Sequence, residues 1–168
     1  GLPVLISYSS NNYGPYQFPE KLVPLVILNA MEGKPLPLYG DGQQRRDWLY
    51  VEDHCHALRC LPREAPLGSA WNVAAGVERT NLQLVEEICR ELDALRADLP
   101  HRPSAELIEF IADRPGHDRR YALDTGGLQE VTGWRPRTEY QAGLRATIKW
   151  YLENQDWVQA VAASFDRR

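Results

Sequence analysis

A chain of 168 residues with 43% apolar and 25% charged residues has the size and composition of one globular domain with a real core. Its formal charge of −4 argues against a nucleic-acid or anionic-membrane partner held by bulk charge, so any anionic ligand must be met locally. No apolar run approaches the ~20 residues of a membrane helix and the start lacks a signal-peptide layout; with three cysteines in no disulfide or metal spacing, a cytoplasmic chain with reduced, buried thiols is expected.

Residues 3–7 (PVLIS) are a short apolar run that suits a buried strand. A polar loop follows over 9–15. In open α/β sheets ligands sit beyond the carboxyl ends of strands, which puts Asn11 and Asn12 where a ligand would be, with a structural asparagine turn as the alternative. Residues 19–33 read as a helix with a stripe of Leu22, Leu25, Val26, Leu28 and Met31; Pro24 should kink it or delay its start. Lys21 in the first turn opposes the helix dipole, which allows a ligand role beside the commoner one of a solvated lysine. The sole methionine, Met31, lies inside this helix, so the chain reads as the back part of something longer.

Residues 36–39 form a short strand leading into the turn Gly40-Asp41-Gly42. A strand over 45–51 would place Arg46, Trp48 and Tyr50 on one face and Arg45, Asp47, Leu49 and Val51 on the other. A guanidinium beside flat rings suits a nucleotide diphosphate; a surface hairpin with ordinary ion pairs is the competing reading. Glu52 and Asp53 open a helix that carries Cys55, Leu58 and Leu61 inward and ends near Pro62. His54 and His56, two apart on a helix, point in nearly opposite directions, so no metal site is expected there. Residues 71–74 are a strand in which Asn72 is either a structural bridge or a ligand contact. Residues 80–83 spell a capping box for a helix with Leu82, Val85, Ile88, Cys89, Leu92 and Leu95 as core.

After a loop at 97–105, residues 107–111 read as a strand. The charged run 113–121 turns at Pro115-Gly116, among Asp113, Arg114, His117, Asp118, Arg119 and Arg120. It is either a solvated turn or a cover over a diphosphate. A short helix from 123–124 ends before Gly133, and a second capping box at 138–141 opens one long closing helix with Tyr140, Leu144, Ile148, Tyr151 and Leu152 inward. Neither a Gly-x-Gly-x-x-Gly nor a phosphate-loop pattern occurs, and none of the eight tyrosines has a lysine four residues later.

Five runs, at residues 10–22, 33–42, 46–54, 77–81 and 112–121, resemble the C-terminal half of the dTDP-glucose 4,6-dehydratase family, NAD-dependent extended short-chain dehydrogenase/reductases of the epimerase/dehydratase group. The likeness spans nearly the whole chain. It implies an α/β fold: the C-terminal substrate-binding part of an extended short-chain dehydrogenase with the last Rossmann strand, lacking the N-terminal dinucleotide-binding half. One substrate-binding domain is expected over 1–168, with 1–16 as the residual Rossmann strand and active-site loop and 17–168 as the sugar-nucleotide-binding portion.

The family reaction so implied oxidises a dTDP-sugar at C4, removes water across C5 and C6, and returns the hydride to C6, all on one NAD. The glycine fingerprint, the Asp-Glu pair and the Tyr-x-x-x-Lys lie upstream of the matched region, so no catalytic residue carries over and the chain alone is expected to be inactive. By the matching motifs Asn12 would meet the NAD. Asn11, Lys21 and Leu22 would line the substrate site, Pro37, Leu38 and Tyr39 would pack on the base, and Arg46 would meet the diphosphate. Asn72 would hold the nucleotide half, and Asp113, Arg114, Pro115, Gly116 and His117 would form the cover. A separate N-terminal half or a second copy would be the protein partner, with no nucleic acid and no membrane. Departures stand at Ser7-Tyr8-Ser9, at 62–70 and at 72–76. The competing readings are a non-catalytic sugar-nucleotide-binding remnant of a broken gene and part of a sister NAD-dependent sugar-nucleotide epimerase.

Overall fold

The structure, a computed structural model, describes residues 2–165. The chain folds around strand β4 (Arg45–Tyr50), whose side chains are buried on both faces from Arg46 onward. Trp48 and Tyr50 join a core with Tyr13, α1 (Leu22–Met31), α3 (Asn81–Leu95) and α5 (Tyr140–Glu153). Leu49, on the other face, joins a smaller core with Ala57 and Leu61 of α2 (Val51–Glu64), Val73, Leu128 and Trp134. The period-2 alternation expected of this strand therefore divides two cores rather than separating core from solvent.

The strands pair mostly in parallel. β1 (Ile6–Ser9) pairs β5 (Ala70–Val73), β2 (Asn11–Tyr13) pairs β4, and β3 (Leu36–Tyr39) pairs β7 (Ile108–Ile111). β6 (Glu78–Thr80) is antiparallel to β4, and β8 (Arg120–Tyr121) adds in parallel at Arg45 and Arg46. Parallel pairs joined through helices define an α/β fold. No helix among the described residues is long and apolar enough to cross a membrane.

Several elements differ from the sequence expectation. The first strand runs later, over Ile6–Ser9, and Asn11–Tyr13 is a strand instead of a loop, because each finds a partner at that register: Ser9 opposite Val73, Asn11 opposite Trp48. Helix α1 starts at Leu22, so Pro24 falls in its first turn, where its missing N–H is harmless. Helix α2 runs through Pro62, which sits in the last turn and costs a single intrahelical bond. The inward face of α2 is Asp53, Ala57 and Leu61; Leu58 is exposed, and of the cysteines only Cys89 is buried while Cys55 is exposed.

The capping box of α3 forms as spelled: Thr80 Oγ1 accepts from the Gln83 N–H at 3.1 Å and Gln83 Oε1 accepts from the Thr80 N–H at 2.9 Å. The second box does not. Glu139 caps α5 by accepting from the Ala142 N–H at 2.8 Å. The long closing helix is two, α5 and α6 (Gln155–Phe165), meeting at Asn154, whose φ and ψ of −122° and 43° are not helical. Ahead of α5, α4 (Gly126–Thr132) ends at Gly133 in a left-handed cap.

Candidate functional site: a cavity between strand β4 and the 113–121 loop

Strand β4 delivers Arg46 and Trp48 to the same side, and there they form the floor of a cavity of about 570 Å³. Its walls come from Glu20 and Lys21 just before α1, from Leu22 and Leu25 in its first turn, and from the β3 residues Pro37, Leu38 and Tyr39. Asn11, Asn81, Ile111, Arg114 and His117 complete the lining. A second hollow of about 240 Å³ adjoins it, shared by Arg46, Arg114 and His117 and extended by Pro115, Gly116 and Asp118.

Arg46 is only 9% exposed, yet its guanidinium meets backbone oxygens alone: one nitrogen donates to the Arg45 carbonyl at 2.7 Å, another to the Asp118 carbonyl at 2.8 Å. No carboxylate among the described residues lies within ion-pair distance of it. Burial draws its pKa below the ordinary arginine value, with Arg114 adding to the same direction and Asp118 opposing it. A half-satisfied buried cation of this kind favours an anion brought from outside.

The loop over Arg46 is built by its own side chains. Asp113 accepts from Gln44 Nε2 at 2.9 Å and from the Arg114 N–H at 2.8 Å, and its Oδ1 lies 2.6 Å from His117 Nδ1. The His117 bond, first among these, holds the Asp113 carboxyl below the usual range. His117 packs edge-on to Tyr39 at 6.1 Å, and the Arg114 guanidinium lies 5.2 Å from the centre of the same ring. Two forked ion pairs fasten the loop to the body: Arg119 to Asp41 at 2.7 and 2.9 Å, Arg120 to Glu78 at 2.8 and 2.6 Å.

Of the residues expected to bind, Asn11, Lys21, Leu22, Pro37, Leu38, Tyr39, Arg46, Arg114 and His117 come together in the main cavity, and Pro115 and Gly116 line its annex. Asp113 stands behind the wall as a holder of the loop. Asn72 is placed elsewhere: it sits on β5 opposite Tyr8 and donates to the Asp124 carbonyl at 3.0 Å, bridging to the segment before α4 on the far side of β4. Asn12 is also turned inward, its amide donating to the Ser10 carbonyl at 3.0 Å while its Oδ1 lies 2.9 Å from His54 Nδ1.

Glu20, Leu25, Asn81 and Ile111 also line the cavity and were not singled out by sequence. Leu25 and Ile111 look like ordinary core positions, and only the strand pairing β3–β7 brings Ile111 beside Tyr39. Asn81 follows directly on the capping residue Thr80, which was its one available signal.

A dinucleotide such as NAD needs a cradle of backbone amides and a close glycine approach. The one residue expected to reach it, Asn12, has both side-chain atoms engaged internally.

Comparison with known proteins gives consistent relatives. The chain is 52% identical over 162 residues to the dTDP-glucose 4,6-dehydratase of Salmonella typhimurium, with 96% of this chain and 44% of that protein covered. It is 50% identical over 161 residues to the enzyme of the same name from Xanthomonas campestris pv. campestris strain B100, covering 96% of this chain and 46% of that protein. Among solved structures, the Streptomyces venezuelae dTDP-glucose 4,6-dehydratase with NAD and TYD bound superposes with a TM-score of 0.86 at 38% identity, covering 95% of this chain and 47% of that one. The chain thus spans about half the length of the curated relatives it matches. The family model described as GDP-mannose 4,6 dehydratase matches residues 1–147, and the chain belongs to that family.

Proposed function

We propose that this chain is the sugar-nucleotide-binding portion of a dTDP-glucose 4,6-dehydratase. The observation that carries the reading is Arg46: a buried guanidinium with no carboxylate within ion-pair distance among the described residues, at the floor of a cavity walled by Pro37, Leu38 and Tyr39. The diphosphate of a dTDP-sugar meets Arg46, with Arg114 and His117 above it. The base packs between the β3 residues, and the sugar lies toward Asn11, Lys21 and Leu22. In the parent reaction dTDP-glucose becomes dTDP-4-keto-6-deoxyglucose by NAD-dependent oxidation, dehydration and re-reduction.

The chain alone has no turnover on this reading, because it carries no Tyr-x-x-x-Lys and no dinucleotide fingerprint. The half that holds NAD docks along β1 and the residues leading into it, where Val4, Ile6 and Tyr8, alternating along the chain, stand 49%, 48% and 52% exposed. The test is calorimetry with dTDP and with GDP. Binding of dTDP in preference to GDP, lost in Arg46→Ala, supports the reading; no dTDP binding, or equal binding by wild type and variant, overturns it.

A further inference from the structure

The segment from Asn12 to Lys21 joins two walls of the cavity, and one residue in it holds a backbone conformation that its side chain resists. Tyr16 has a φ of 62°, and it is the one non-glycine residue with positive φ among those described. The residue is 66% exposed, yet its ring lies tilted against Trp150 of α5, with centroids 4.6 Å apart, and meets Trp157 of α6 edge-on at 5.4 Å, the two indoles being 5.1 Å apart. The next residue is gripped from both sides. The Gln17 carbonyl accepts from the Tyr151 hydroxyl at 2.6 Å, and Gln17 Nε2 donates to the Asn12 carbonyl at 2.8 Å.

We infer that Tyr16 is a positioning residue for the cavity: the aromatic elbow of Trp150 and Trp157 holds its backbone left-handed, and that turn sets Asn11 on one wall against Lys21 and Leu22 on the other. Helix α6, none of whose described side chains lines the cavity, thereby acts on it. The inference rests on the ligand site proposed above. It predicts an order of variants that a merely structural contact would invert. Alanine at 16 removes the ring but keeps the resistance to positive φ, so the turn relaxes; glycine removes both, so the turn persists.

In the 168-residue chain, dTDP affinity is expected to fall at least about fivefold in Tyr16→Ala and in Trp157→Ala, to stay within about twofold of wild type in Tyr16→Gly and Trp157→Phe, and to recover in the Trp157→Ala/Tyr16→Gly double variant. Hydrogen exchange of the Lys21 and Leu25 amides, which bond to the Phe18 and Lys21 carbonyls, follows the same order without ligand. Should wild type fail to bind dTDP, the ligand reading fails and the exchange order alone decides this one. Should Trp157→Ala fail to fold, the Tyr16 pair decides. Tyr16→Gly weaker than, or equal to, Tyr16→Ala in both readouts overturns the inference.

Discussion

The Arg46 guanidinium is pinned to the Asp118 carbonyl at 2.8 Å, a contact that spans 72 residues of chain. Because the acceptor is a neutral carbonyl, the charge is aimed without being cancelled. Lysine has no planar fork with which to hold two carbonyls and still face a diphosphate. Arg46→Lys is therefore expected to weaken dTDP binding by about tenfold or more, while Arg45→Lys, at the exposed first residue of the same strand, leaves it within about twofold. Titration calorimetry of the two variants checks this.

Acid should loosen the strand that carries Asn11. Burial holds the His54 imidazole below its ordinary value of 6.5 in the folded chain, where its Nδ1 meets Asn12. The unfolded chain takes up the proton first, so the stability that depends on neutral His54 is present above 6.5 and is lost as pH falls from there toward the lower folded value. The urea midpoint of wild type is expected to drop between pH 7 and pH 5, and that of His54→Gln to drop less. Equal slopes would show that His54 stays uncoupled from folding.

Gly42 turns the chain between the strands that make the cavity. Its φ is 69°, and a β-carbon there would stand 2.6 Å from Leu38 Cδ2 and 3.0 Å from the Leu82 β-carbon. Gly42→Ala should cost about 1–3 kcal/mol in urea unfolding and weaken dTDP binding as well, since Leu38 lines the site. At Gly116, φ is 71° but nothing lies within 4 Å of the added carbon, so Gly116→Ala carries the backbone term alone, about 1–2 kcal/mol, without crowding.

The two helix starts that look alike in sequence should respond differently. Thr80→Ala removes one half of a formed capping box and should cost about 1 kcal/mol. Thr138→Ala should cost little, because Glu139 caps α5, and Glu139→Ala should cost about 1 kcal/mol instead. Thermal unfolding of the three variants separates these outcomes.

Local signals in the sequence reached as far as local physics does. The alternation in 45–51 placed Arg46 and Trp48 together correctly, and the Pro-Gly turn marked the loop that covers them. Thr138 misled because an acidic neighbour one residue later competes for the same helix start. The orientation of Asn72 was not legible, since it depends on β5 pairing with β1 on the far side of β4, a register that no short window contains. Ile111 enters the cavity through its pairing with Tyr39 of β3, and the break at Asn154 brings Trp157 back onto Tyr16; neither contact lies within a short window of sequence.

The contacts that close the cavity, Gln44 to Asp113, Arg46 to Asp118 and Asp41 to Arg119, span 69, 72 and 78 residues. Such long loops close late, after local helices and their neighbours have formed. A nucleotide added during refolding therefore meets no site until the rate-limiting step is past. In a chevron plot dTDP should leave the refolding limb unmoved and displace only the unfolding limb, acting as a brake on opening and not as a template for assembly.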